Sequence, residues 1–143
     1  MNVLQRVSKS LVAISVGAAS CLVLAEPAAA ATPVCSTYRN LSGYLAPTSS
    51  AGSRSCWLQR GHKGDGVVVL QTILDICYGD YLDYIGFPYK VENDGDFGPI
   101  TREALRQVQK AEGIDADGVY GPVTAHTIMI VGTNKPCNYV NYV

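Results

Sequence analysis

Between Gly66 and Gly79 the apolar residues fall at Val67, Leu70, Ile73, Leu74 and Cys77. Those spacings line one face of a helix, and Gly79 is placed to stop it. A second helix is announced by Gly98-Pro99, because proline at the first helical position wastes no hydrogen bond. Its apolar face is Ala104, Leu105, Val108 and Ala111, and Gly113 ends it. A third starts at Gly121-Pro122, carries Ala125, Ile128 and Met129 on one side, and ends near Gly132. Residues 32–55 are rich in Thr, Ser, Pro and Gly and sustain no period, which predicts an irregular arm held by its cysteines. No segment alternates long enough for a core strand, and the tail from Asn138 to Val143 alternates only weakly. The pattern therefore predicts an all-α fold, a compact three-helix bundle. Its core is expected at Leu70, Leu74, Phe97, Leu105, Val108, Tyr120 and Ile128.

An internal repeat enters two of these helices. Asp94-Gly95-Asp96-Phe97-Gly98-Pro99-Ile100-Thr101 matches Asp117-Gly118-Val119-Tyr120-Gly121-Pro122-Val123-Thr124. Each copy reads as a turn that launches a helix. The first aspartate accepts hydrogen bonds from amides just ahead of it, and the glycine tolerates positive φ. The aromatic residue then plugs the core.

The N-terminus changes the domain count. Arg6 and Lys9 precede an uncharged apolar run from Leu11 to Leu24, followed by the small residues Ala28 to Ala31. Residues 1–31 thus read as a cleaved signal peptide, too short in its apolar part for a span of about 20 residues. A lipidated Cys21 is disfavoured by Ala18 before it and by the apolar run that continues past it. Cleavage leaves about 112 residues, one small domain. The mature chain is mildly acidic, which argues against nucleic acid as a partner. Cys35, Cys56, Cys77 and Cys137 survive cleavage and, in a small exported chain, read as two disulfides. Of the three pairings, Cys35–Cys137 tying the ends with Cys56–Cys77 bracing the first helix is slightly favoured. Zinc ligation by the cysteines would call for closer paired spacing.

Taken together, the motifs resemble the peptidoglycan-binding domain that targets many bacterial hydrolases to the cell wall. Leu58, Gly61, Gly64, Val67, Leu70 and Gln71 match its first block. Asp94, Gly95, Phe97, Gly98, Thr101, Ala104, Leu105, Val108 and Gln109 match the second. Gly113, Asp117, Gly118, Tyr120, Gly121, Pro122 and Thr124 match the last. The resemblance places the domain at 56–132, with an arm at 32–55 and a tail at 133–143. It implies a three-helix bundle that recognises the wall polymer. The sequence departs from the family in a longer segment from Gly79 to Asn93, in Val108 for an aromatic residue, and in His126 for a large aromatic.

The chemistry-bearing residues do not assemble a catalyst. His62 and His126 have no third ligand at a recognisable spacing, and the mature cysteines have disulfides to form. A calcium loop at Glu92, Asp94 and Asp96, or at Asp115 and Asp117, lacks the glycine and the closing glutamate of an EF-hand. No enzyme activity, cofactor or metal is expected. Binding instead calls for aromatic faces against sugars and cations against carboxylates. Tyr81, Tyr84 and Tyr89, with Tyr78 beside them and Arg102 and Arg106 on the second helix, are the candidates, against the alternative that they complete core and surface. The reading is a secreted, monomeric, non-catalytic peptidoglycan binder, with a cell-wall hydrolase as a further candidate partner and no membrane contact after cleavage. Two alternatives are an interaction or inhibitor protein on the same fold, and a small wall hydrolase.

Overall fold

The structure, a computed structural model, describes residues 31–140. The expected signal peptide, apart from Ala31, and the last three residues of the tail lie outside the described residues.

Among the described residues there are three helices and a three-stranded antiparallel sheet, which overturns the all-α expectation. The arm read as irregular folds into a hairpin, β1 (Thr37–Leu41) and β2 (Tyr44–Thr48), in full register from Thr37↔Thr48 to Leu41↔Tyr44. Its two turn residues, Ser42 and Gly43, both take positive φ (54° and 92°), the twist that matches two-residue hairpins. The signal was hidden because β1 is almost wholly solvent-facing and β2 buries the successive residues Ala46, Pro47 and Thr48. Neither strand alternates. Pro47 is tolerated because β3 (Val131–Gly132) pairs only with Tyr44 and Leu45, so no ladder donor is missed on that side.

α1 (Asp65–Tyr84) packs on all three strands and on α2 (Pro99–Ala111). It runs through Gly79, where a stop was expected. A mid-helix glycine costs only about 1 kcal/mol, and continuing places Leu82 in the core at 4% exposure. The helix stops at Gly86 (φ 71°), where Phe87 N donates to Leu82 O and Gly86 N to Asp83 O. α2 stops at Gly113 by the same pair of bonds, as the sequence predicts. α3 (Pro122–Thr127) is shorter than expected. Ile128 is already extended (ψ 153°), and Ile128, Ile130 and Val131 enter the core along a chain leading into β3. All seven expected core residues are at most 1% exposed.

The disulfides pair Cys35 with Cys56 and Cys77 with Cys137, not end to end. Once the arm is a hairpin, its two ends return to one place. Val34 bridges Trp57 there, and Cys35 N donates to Trp57 O. Gly66 is obligatory at this contact, because a Cβ on it would lie 1.9 Å from Cys35 O. The chain after β3 turns back, Ile130 bridging Asn138, and carries Cys137 onto α1.

Candidate functional site

The linker before α1 threads between the two launching turns. Leu58 and Tyr120 exchange both backbone hydrogen bonds at 2.8 Å. Phe97 N donates to His62 O, and Gly64 N to Gly95 O, each at 2.9 Å. Phe97 and Tyr120 are fully buried, so each turn is held by its backbone on one side and its ring on the other.

A glutamine closes each turn from inside. Gln71 on α1 receives Gly95 N on its Oε1 at 2.8 Å, while its Nε2 faces Asp94 Oδ1, Asp96 O and Thr101 Oγ1 at 2.8, 3.0 and 3.1 Å. Gln109 on α2 repeats the pattern, with Gly118 N at 2.9 Å and Asp117 Oδ1, Val119 O and Thr124 Oγ1 at 3.0, 2.9 and 3.1 Å. Both side chains are 1% exposed, where an amide needs such partners. The aspartates accept from their own turns, Asp94 from Asp96 N and Asp117 from Val119 N. The Asp96 amide, then Gln71, hold the Asp94 carboxyl below the usual carboxylate range. Asp96 pairs with Lys63 and raises that ammonium above its ordinary value.

A groove opens beside the first turn in two adjoining lobes of about 670 and 420 Å³. Arg60, Tyr89, Pro99 and Ile100 border both lobes. The Asp94 turn and Thr101 close the larger, and Arg102 and Glu103 the smaller. Beyond Tyr89 and Phe87, which meet edge to face, a cavity of about 430 Å³ carries Asp75, Asp80 and Asp83.

Comparison with known proteins gives this architecture a family. Residues 63–128, from the linker through both turns to the end of α3, match the family model of the peptidoglycan binding domain. The segment belongs to that family. Over 114 residues the chain is 30% identical to the zinc D-Ala-D-Ala carboxypeptidase of Streptomyces albus G, covering 71% of this chain and 42% of that protein. Over 88 residues it is 33% identical to the N-acetylmuramoyl-L-alanine amidase CwlL of Bacillus licheniformis, covering 62% of this chain and 22% of the amidase. The chain thus spans less than half the length of either relative. It is also similar to the crystal structure of the SleB N-terminal domain, at 37% identity over 49% of this chain and 84% of that one, with a TM-score of 0.38.

In this peptidoglycan-binding domain the sequence-predicted site residues separate. Tyr89, 57% exposed, and Arg102 border the groove. Tyr84, 88% exposed, ends α1 outside the lining of these cavities. Tyr81 is half-buried against the core, its hydroxyl 3.4 Å from Gln107 O. Tyr78 is buried, donating to Glu112 Oε1 and accepting from Met129 N, and burial pushes its hydroxyl well above the ordinary phenol range. Arg106 donates to Ala116 O at 3.0 Å and meets Glu103 at 3.4 Å, while Arg102 reaches Asp117 O at 3.4 Å. Both arginine stems lie over Gly118 of the second turn.

Arg60 was missed. It occupies a variable place in the Leu-x-x-Gly turn, where only the tertiary fold sets it across from Tyr89. The clamping glutamines were visible as motif positions, but a glutamine on a helix face carries no local sign of the turn it meets, 23 residues on for Gln71 and 8 for Gln109. His62 Nδ1 accepts from Gln59 N at 3.3 Å, and His126 Nδ1 lies 2.6 Å from Pro122 O. Among the described residues no three His, Cys, Asp or Glu side chains form a metal cluster, and no helix is long and apolar enough to cross a membrane.

Proposed function

We propose that the chain is an exported, non-catalytic module that binds peptidoglycan in the Arg60–Tyr89–Ile100–Arg102 groove. The observation that carries this reading is the groove itself. It is built on the first launching turn of a peptidoglycan-binding domain and combines an exposed ring, an apolar floor and cations with no carboxylate partner among the described residues. A non-catalytic role is supported by the engagement of the chemistry-bearing residues elsewhere. The four described cysteines are in disulfides, and both aspartates of the turns accept bonds from their own backbones. Two disulfides also suit an oxidising, extracytoplasmic setting. Tyr84, projecting from the end of α1, is a contact outside the groove for a ligand as extended as a wall polymer.

Cosedimentation of the purified protein with insoluble peptidoglycan tests the proposal. Retention at moderate salt is expected, with Arg60→Ala combined with Tyr89→Ala losing most of it at an unchanged melting temperature. A soluble fraction that ignores the polymer would sink the reading.

A further inference from the structure

Resting on that reading of the groove, we infer that it reads the free carboxylates of the stem peptide and not the sugar face of the glycan. The cations supply the first reason. Arg60 and Lys90 have no carboxylate partner among the described residues, and Arg102 makes only its long contact to Asp117 O. The acids on the same walls are largely occupied. Asp94 is held by Gln71 and the Asp96 amide, Asp96 by Lys63, and Glu103 by Gln107 at 2.6 Å and by Arg106. Glu92 and Asp94, the latter held only by neutral amides, are left on these walls to oppose the three cations, and Lys90 also borders the cavity of Asp75, Asp80 and Asp83. Guanidinium groups in this state select planar anions such as carboxylates.

The second reason is the shape of the apolar surface. Stacking along a sugar chain needs successive flat rings, and the groove exposes one, Tyr89, because Phe97 is fully buried. Pro88, Pro99 and the 40%-exposed Ile100 instead offer small apolar contacts that suit alanine methyls. The glycan of an intact strand has its lactyl carboxyl tied up in the amide to the peptide, so the peptide carries the free carboxylates. A long phosphodiester polymer fits less well, since it would run past Asp75, Asp80 and Asp83 on the far side of Tyr89.

The experiment measures retention of the full chain on wall before and after acid removal of phosphodiester polymers. Soluble competitors are then added: a synthetic stem peptide, the same peptide with every carboxyl amidated, and a chitin-type N-acetylglucosamine oligomer. The free peptide is expected to displace the protein, with the amidated form about tenfold weaker or worse. Arg60→Ala and Lys90→Ala, both at exposed positions, are expected to weaken peptide binding to a similar degree with the fold intact by circular dichroism. Retention that yields to the oligomer, or that ignores free and amidated peptide alike, overturns this inference and leaves peptidoglycan binding standing. Retention that vanishes once phosphodiester polymers are removed, or is absent from the start, overturns both.

Discussion

Gln71 and Gln109 are the residues on which the launching turns depend, because each satisfies one turn's buried amide and its aspartate with a single side chain. Leucine has a similar size and none of the polarity. Gln109→Leu would leave Gly118 N without a partner in a buried place, while Thr124 Oγ1 and Val119 O keep their bond to each other. Unsatisfied buried groups cost about 1–3 kcal/mol each, partly relieved by water. A loss of about 1–3 kcal/mol in unfolding free energy is expected, read from urea denaturation. An unchanged denaturation midpoint would show that the turn supports itself. Both glutamines stand in the sequence at motif positions, yet a lone polar residue on an apolar helix face says nothing of what it meets. Their partners are 23 and 8 residues away for the two aspartates.

α1 shows how an element outruns its local signals. Gly79 satisfies the pattern for a helix stop, but the true stop is Gly86, seven residues on. Local preference at one glycine is small beside the burial of Leu82, at about 25 cal/mol per Å² of apolar surface. A Cβ at Gly79 would meet nothing within 4 Å, and the backbone there is ordinary helix. Gly79→Ala is therefore expected to stabilise the protein by about 0.5–1 kcal/mol, raising its melting temperature in calorimetry. A fall would mean that the helix needs flexibility at that point. The hairpin and the early end of α3 failed to register for the converse reason. β1 has too little buried surface to print a pattern, and Ile128 continues the apolar spacing of α3 after the backbone has left the helix.

For the molecule as a whole, the disulfides divide the stabilisation between the sheet and the helices. Cys35–Cys56 closes a separation of 21 residues around the hairpin, and Cys77–Cys137 one of 60 that encloses both turns, α2 and α3. Chain-entropy arguments assign about 3 kcal/mol to the shorter loop and about 4 kcal/mol to the longer. Serine pairs at 77 and 137 are thus expected to lower the denaturation midpoint more than serine pairs at 35 and 56. The reverse order would place the balance of stability in the sheet. Peptide mapping of the oxidised protein checks the pairing directly.

What the sequence by itself determined is whatever rests on neighbours along the chain. That includes the doubled aspartate–glycine turn, the proline entry into α2 and α3, the glycine exit from α2, the apolar stripes that become the core, and the family. Each is a local signal, because turn chemistry and helical periodicity act over a few residues. Only the tertiary structure decided the sheet, the cysteine pairing and the assembly of Arg60, Tyr89 and Arg102 along one groove. These depend on which distant segments come together, and that is settled by the packing of the hairpin and the linker against α1.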